Sequence, residues 1–330
     1  MSTVVVFDAP FVLESGAILP EVRLAYHTWG ELNDARDNVV WVLHALTGSS
    51  DATSWWPDIV GSGRPFDPSK HFIVCANMIG SCYGSTGPTH IDPSTGAPWY
   101  HTFPLVTNRD IVRAFQLLRD HLGIDRIDTV IGGSMGGQQA LEWGVQEHDR
   151  INRLIVIAAN DQHSPWGVAF NAAQRMSIEA DQTFQEARPD AGQAGLSAAR
   201  ATAMLSYRSA GLYNSRQRTA ESLLTGYRAE SYQRHQGSKL VQRFSAHSYY
   251  GLTRTMDAHD IGRDRGGAGA ALRTITSNTL VVGISTDTLF PVYEQHFIAD
   301  MIPHAKYRTL LSSVGHDAFL TDQQHLATLI

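Results

Sequence analysis

Short apolar runs rich in β-branched residues recur along the first half of the chain and predict the strands of a sheet. They are VRLAYHTW (22–29), NVVWVLH (38–44), HFIVCAN (71–77), IDTVIGG (127–133) and INRLIVIAA (151–159). The later runs are almost continuously apolar, which is typical of parallel strands that are covered on both faces. The pattern returns near the C-terminus in NTLVVGIS (278–285) and KYRTLLS (306–312).

A helix is predicted over residues 107–123, between two of these strands. Thr107 suits the N-cap, Asp110 lies in the first turn, and Gly123 occupies a typical C′ position. The apolar residues of this segment fall on one helical face: Ile111, Phe115, Leu118 and Leu122. A strand, a helix and a strand in this order indicate a parallel sheet of the α/β class.

The composition changes near residue 161. Residues 161–275 are rich in Ala, Gln, Arg, Ser and Tyr and contain helical patterns without a convincing strand. The sequence therefore predicts an α/β core domain formed by residues 1–160 and 276–330, with a helical insertion at 161–275. Further helices are expected from about Pro291 and, at the end of the chain, from about Asp317.

The segment GRDRGGAGA (262–270) is expected to be a flexible stretch on the return path from the insertion. Arg263 and Arg265 flank an acidic residue within it. We interpret both as side chains of a solvated loop, with contact to a ligand phosphate as the alternative.

Composition narrows the class of protein. The chain has 330 residues, 43% hydrophobic content and a net charge of -6, which allows one large core and disfavours binding to nucleic acid or to anionic membranes. No apolar run approaches the roughly 20 residues that span a bilayer, and no signal peptide is visible. The two cysteines, Cys75 and Cys82, suit a reducing compartment. We expect a soluble, cytoplasmic protein. Motifs for metals or nucleotides are lacking, so we expect no metal and no bound cofactor.

The pentapeptide Gly132–Gly136 fits the pattern G-x-S-x-G and joins a predicted strand to a predicted helix. In that context the chain turns sharply and presents Ser134 at the carboxyl edge of the sheet, with the helix N-terminus directed at the site. We interpret Ser134 as a catalytic nucleophile. The alternative is a glycine-rich turn that happens to contain a serine.

A serine nucleophile needs a base and an orienting carboxylate. Asp287 follows one predicted strand in STDTLFP, and His316 follows the next in SVGHDAF. Both therefore lie at the same sheet edge as Ser134, in the order Ser, Asp, His that this type of fold uses. The alternatives are a turn-forming aspartate and a histidine that lies near a strand end by chance.

Two backbone N–H groups are expected to form an oxyanion hole. One belongs to Met135, directly after the nucleophile. The other is assigned to Leu46 in the loop HALTG (44–48). The alternative is that this loop only connects two elements and has no catalytic role. The isolated histidines are interpreted as structural: His44, His163, His247 and His259. Trp55 and Trp56 are interpreted as packing residues.

Several longer segments carry a more specific resemblance. They are HALTGS, CANMIGSCYGSTGP, FPLVTNRDIVRA, GGSMGGQQALEW, MLSYRS, HQGSKLVQRF, MDAHDIGRDRGG and GHDAF. Together they resemble the homoserine O-acetyltransferases, from about residue 20 to about residue 320. The resemblance implies an α/β-hydrolase fold with an inserted helical lid domain. It also implies the same catalytic residues, Ser134, Asp287 and His316.

The resemblance further implies three substrate contacts. Arg200 is expected to hold the carboxylate of the amino-acid substrate, with Tyr207 as its partner, and Asp317 to bind the ammonium group. These pairings are chemically complementary. Without the resemblance, Arg200 would be a surface charge, Tyr207 a core aromatic residue and Asp317 the N-cap of the last helix. The resemblance also implies a homodimer formed through the lid helices.

The expected reaction is transfer of an acetyl group from acetyl-CoA, as co-substrate, to the hydroxyl of L-homoserine, through an acyl-serine in a ping-pong mechanism. Three alternatives remain open. A related acyltransferase would use succinyl-CoA as donor or serine as acceptor. A carboxylic-ester hydrolase would use the same triad with water. An inactive binding protein would bind a ligand without turnover.

Overall fold

The computed structural model describes residues 2–220 and 224–330. The strands are β1 (Thr3–Phe7), β2 (Phe11–Val12), β3 (Ile18–Leu19), β4 (Val22–Trp29), β5 (Val39–Leu43), β6 (Phe72–Ala76), β7 (Ile91–Asp92), β8 (Ala97–Pro98), β9 (Ile127–Gly133), β10 (Ile151–Ile157), β11 (Asn278–Ile284) and β12 (Lys306–Leu310). Within the described residues, eight of them form one sheet in the order β1-β4-β6-β5-β9-β10-β11-β12. The short pairs β2-β3 and β7-β8 form separate ribbons.

The sheet is mostly parallel, as predicted. The strands from β6 through β5, β9, β10 and β11 to β12 run parallel, whereas β1 and β4 form an antiparallel edge. Every strand predicted from an apolar run is present within one or two residues of its expected bounds. The edge strand β1, TVVVF, was not predicted although it is an apolar run; Val5 and Phe7 are half-buried against the core, and its other three side chains are exposed.

The helices are α1 (Ala52–Trp55), α2 (Asn108–His121), α3 (Met135–Gln146), α4 (Pro165–Glu179), α5 (Gln193–Tyr207), α6 (Ala210–Arg216), α7 (Arg228–Val241), α8 (Ala246–Asp257), α9 (Ala268–Leu272), α10 (Val292–Met301), α11 (Ala318–Thr321) and α12 (Gln323–Ala327). The helix predicted at 107–123 is confirmed as α2. Thr107 and Asp110 form a reciprocal capping box at its start, and Gly123 follows its end with φ +66°. No helix in the described part of the chain combines the length and the apolar character needed to cross a bilayer.

The sheet is covered on both faces by apolar side chains. Along β5, Trp41 joins one buried cluster, while Val40 and Val42 join the cluster on the opposite face. On the first face the ring centroids of Trp41 and Trp143 lie 4.9 Å apart. On the second face Trp56 packs edge-on against Phe319. This two-sided burial explains the continuous apolar runs in the sequence.

Helices α4 to α9 occupy the chain between β10 and β11, and no strand lies among them in the described residues. Helix α5 packs between α4 and α7, and α4 also packs on α8. This agrees with helical character over residues 161–275, of which 221–223 lie outside the described residues. The division into a core domain and a lid domain at residues 160 and 276 stays a prediction.

Two predictions about the second half of the chain were wrong. The final helix is divided into α11 and α12, because Asp322 leaves the helical region at φ -111° and ψ 45°. Arg263 and Arg265 are not solvated loop residues. Arg263 donates from Nε to Glu14 at 3.0 Å, and Arg265 pairs with the buried carboxylate of Glu142. Their guanidinium groups therefore tie the segment 262–270 to the turn between β2 and β3 and to α3.

Candidate active site

Ser134 lies on a strained turn between β9 and α3. Its backbone has φ 57° and ψ -127°, a conformation that a non-glycine residue rarely adopts. The turn is held because the Ser134 N–H donates to the Ile157 carbonyl at 2.9 Å. Small neighbours are required here: a Cβ on Gly132 would collide with the Gly136 carbonyl, and a Cβ on Gly136 with the Leu43 carbonyl. The two flanking glycines of G-x-S-x-G thus permit the close approach of strand and helix.

The structure brings Ser134, His316 and Asp287 into one hydrogen-bonded chain. The Nε2 atom of His316 lies 2.8 Å from Ser134 Oγ, and its Nδ1 atom lies 2.6 Å from Asp287 Oδ2. The other carboxylate oxygen, Oδ1, accepts the backbone N–H groups of Leu289 and Phe290 at 2.8 and 2.9 Å. With the carboxylate held in this way, Nδ1 carries a proton and Nε2 is free to accept one from the serine.

The imidazole of His316 is enclosed by aromatic rings and is 2% exposed. Phe290 stacks on it with a centroid distance of 5.0 Å, and Phe319 meets it edge-on at 5.5 Å. Burial disfavours the charged ring, but the attraction and hydrogen bond of Asp287, with a smaller contribution from the charge of Asp317, outweigh it. The pKa of His316 is therefore raised above its ordinary value, which suits a base that must hold a proton between two steps.

The loop 44–48 follows β5 and lies beside the nucleophile turn. Its first residue anchors it: His44 Nδ1 lies 2.9 Å from the Ala45 carbonyl, and Nε2 accepts the Met78 N–H at 3.3 Å. Burial lowers the pKa of His44 to about 4, so the ring stays neutral. The Leu46 N–H has no hydrogen-bond acceptor among the described residues, and the Met135 N–H is the first of α3 and has no intrahelical acceptor. Both groups are thus available to an oxyanion.

A cavity of about 880 Å³ borders this loop. Arg200 and Asp317 both line it. Tyr207 contacts both residues. The guanidinium of Arg200 lies 5.2 Å from the centre of the Tyr207 ring, and the Tyr207 carbonyl accepts the Asp317 N–H at 3.0 Å. Burial raises the pKa of Tyr207, so the phenol is neutral. The structure brings all three predicted substrate contacts to one site.

Arg208 is a site residue that the sequence did not reveal. Its Nε atom lies 3.0 Å from Asp317 Oδ2, and its side chain also lines the cavity. The residues 207–209, here called the lid segment, run directly against residues 313–317, here called the histidine loop. Ser209 donates from its N–H to the Val314 carbonyl at 2.8 Å. The only sequence signal was the position of Arg208 next to Tyr207 in MLSYRS.

A second unexpected residue is Glu294 on α10. Its side chain is buried near the triad carboxylate, and burial, with the nearby charges of Asp161 and Asp287, raises its pKa to about 7.

Within the described residues, no group of three or more His, Cys, Asp or Glu side chains is arranged to hold a metal ion.

The mostly parallel sheet and the serine turn at its carboxyl edge define an α/β hydrolase, and a family model described as the alpha/beta hydrolase fold matches residues 38–323. The chain is 47% identical to a homoserine O-acetyltransferase from Cyclobacterium marinum, over 96% of this chain and 91% of that protein. It belongs to the homoserine O-acetyltransferase family.

Two solved structures extend the comparison. A homoserine O-acetyltransferase from Staphylococcus aureus superposes with a TM-score of 0.82 at 28% identity, covering 99% of this chain and 93% of that one. An acetylester hydrolase from Corynebacterium glutamicum superposes with a TM-score of 0.86 at 26% identity, covering 99% and 96%. The same architecture is therefore found in a transferase and in a hydrolase.

Proposed function

We propose that this protein transfers an acetyl group from acetyl-CoA to the side-chain hydroxyl of L-homoserine, through a covalent acetyl-serine intermediate. One observation carries the proposal. The Ser134–His316–Asp287 chain, with 2.8 and 2.6 Å contacts, lies beside a cavity whose wall presents the Arg200 guanidinium and the Asp317 carboxylate. The 47% identity to a homoserine O-acetyltransferase supports the same substrates.

In the first half-reaction His316 Nε2 takes the proton of Ser134 while Oγ attacks the thioester carbonyl. The Leu46 and Met135 N–H groups stabilise the developing oxyanion. The carbon–sulfur bond then breaks, and His316 returns the proton to the leaving thiolate. CoA departs as its thiol and leaves acetyl-Ser134.

In the second half-reaction homoserine occupies the acceptor site. Arg200 binds its carboxylate, with Tyr207 beneath the guanidinium, and Asp317 binds its ammonium group. His316 then removes the hydroxyl proton, the alkoxide attacks the acetyl carbonyl, and the bond to Ser134 breaks. The serine regains its proton from His316, and O-acetylhomoserine is released.

The test is release of CoA thiol by the purified protein with acetyl-CoA or succinyl-CoA, and with homoserine, serine or no acceptor. We expect steady turnover only with acetyl-CoA and homoserine together, and no turnover in Ser134→Ala. A preference for succinyl-CoA or for serine would instead assign the related acyltransferase activities.

The second candidate function is hydrolysis of acetyl esters. It is favoured by the TM-score of 0.86 to an acetylester hydrolase at 26% identity. This candidate predicts rapid turnover of simple acetyl esters with no effect of homoserine. The acceptor dependence of the same assay separates the two functions.

We also propose a cytoplasmic homodimer. Support for association through the helical insertion comes from large apolar side chains exposed on α4 and α5: Trp166, Met176 and Leu205. Support for a reducing compartment comes from the two free cysteines. Sedimentation at several protein concentrations tests the dimer, and a monomer at all of them would overturn it.

A further inference from the structure

The wall of the large cavity is positively charged although the whole chain is negative. Four cationic residues line it, Arg200, Arg208, Lys239 and Arg243, against a single carboxylate, Asp317, among the described lining residues. The chain as a whole has a net charge of -6. A local excess of positive charge in a cavity raises the concentration of an anionic ligand there.

Two of these cations already have an anionic partner when the acceptor is bound. Arg200 faces the acceptor carboxylate in the proposed function, and Arg208 is paired with Asp317 at 3.0 Å. Lys239 and Arg243 have no carboxylate partner within the described part of the chain, since no ion pair involves either one there. They are the charges that the acceptor leaves unused.

Arg243 is held beside the loop 44–48 by two hydrogen bonds. Its Nη1 atom donates to the Thr47 carbonyl and to the Tyr83 hydroxyl, both at 2.7 Å. Lys239 lies about one turn earlier, near the end of α7, and is exposed to solvent. Gln236, at helical spacing before Lys239, lines the same cavity. Residues 236, 239 and 243 therefore form a polar stripe along the cavity wall, which begins beside the loop 44–48.

We propose that Lys239 and Arg243 bind the phosphate groups of the nucleotide end of the acyl-CoA donor. This inference rests on the proposed function, because it assigns the donor half of the same site. The cavity volume of about 880 Å³ is near the upper end of ordinary ligand pockets, far more than homoserine needs. The thioester end reaches Ser134 past the loop 44–48, while the phosphates remain at the basic stripe.

The test uses Lys239→Glu, because Arg243 also holds the loop 44–48 and its loss would disturb the oxyanion hole. The matched control is Lys306→Glu, which makes the same charge change at an exposed position on β12 away from the cavity. In a ping-pong reaction, kcat/KM for each substrate reports its own half-reaction. We expect Lys239→Glu to lower kcat/KM for acetyl-CoA about fivefold, equivalent to about 1 kcal/mol, and to leave kcat/KM for homoserine unchanged.

Two further measurements identify the phosphates as the cause. An acetyl thioester of pantetheine, which lacks the nucleotide, should react equally well with the wild type and with Lys239→Glu. Adenosine 3′,5′-bisphosphate, titrated calorimetrically, should bind the wild type and Lys306→Glu alike and Lys239→Glu about fivefold more weakly.

The outcomes separate the two proposals. Equal acetyl-CoA kinetics and equal bisphosphate binding in Lys239→Glu and the wild type would overturn the phosphate site and leave the acetyltransferase function standing. A wild type that binds the bisphosphate through Lys239 but does not acetylate homoserine would overturn the proposed function alone.

Discussion

Replacing Asp287 by Asn exchanges one carboxylate oxygen for an NH₂ group, and the surrounding hydrogen bonds decide which oxygen is replaced. Asp287 Oδ1 accepts two backbone N–H groups, from Leu289 and Phe290, so an asparagine must keep its carbonyl oxygen at that position. Its NH₂ group is then forced to face His316 Nδ1, where the carboxylate oxygen now lies at 2.6 Å. The amide donates to Nδ1 and moves the ring proton to Nε2, which faces Ser134.

A histidine protonated at Nε2 cannot accept the serine proton. The loss of the Asp287 charge also removes an interaction that raises the pKa of His316. Both effects oppose formation of the imidazolium in the two half-reactions. We expect Asp287→Asn to reduce turnover about 10⁴-fold, or about 5.5 kcal/mol in the activation barrier.

The assay is pre-steady-state release of CoA thiol, followed with and without homoserine. Because the base acts in both half-reactions, kcat/KM should fall for acetyl-CoA and for homoserine alike. Glu294→Gln is the matched control, since it replaces another buried carboxyl group on the Asp287 side of the site by an amide, and this group has no hydrogen bond to His316. A loss of less than about tenfold in Asp287→Asn would refute the tautomer argument.

Four substitutions test separate parts of the structure. Asp317→Asn should lower kcat/KM for homoserine about a hundredfold, because a charged hydrogen bond is worth up to about 3 kcal/mol, and a similar loss for acetyl-CoA would contradict its role in acceptor binding. Gly136→Ala should unfold at a much lower temperature, because its Cβ would collide with the Leu43 carbonyl; Gly251→Ala in α8, where nothing lies within 4 Å, should be neutral or up to about 1 kcal/mol more stable. Burial raises the pKa of Glu294 to about 7 from 4.5, so unfolding releases a proton between these values and stability falls as pH rises through them. At pH 8 the free energy of unfolding of Glu294→Gln should therefore exceed that of the wild type by up to about 3 kcal/mol, and this difference should shrink toward pH 5. A difference in unfolding free energy that does not depend on pH would show that this carboxyl ionises normally in the fold.

The geometry of the triad was predictable because it depends on local patterns. Ser134, Asp287 and His316 each follow an apolar strand, and parallel strands bring their carboxyl ends to one edge of the sheet. A reader of the sequence needs only the strand bounds and the order of the three residues to bring them together. Their catalytic roles stay a prediction until the variants are measured.

Long-range ionic contacts were not predictable in the same way. Arg263 pairs with Glu14 across 249 positions of sequence, and Arg208 meets Asp317 only because the lid segment lies against the histidine loop. No periodicity relates such residues, and an arginine in a glycine-rich segment has the same local pattern whether it is solvated or paired. Glu294 was missed for the related reason that burial, which raises its pKa, is a property of the packed chain.

The contact between the lid segment and the histidine loop bears on how transfer competes with hydrolysis. The Asp317 N–H binds the Tyr207 carbonyl, and a Cβ on Gly315 would collide with the backbone of Arg208 and Ser209. Helix α5, which carries Arg200, and the loop that carries His316 are therefore held at one fixed separation. In the proposed function, an acceptor bound between Arg200 and Asp317 meets the base already oriented, which raises its effective concentration far above that of a free reactant. Water gains nothing from these anchors, so the same triad can favour an amino-acid hydroxyl without any change in the catalytic residues themselves.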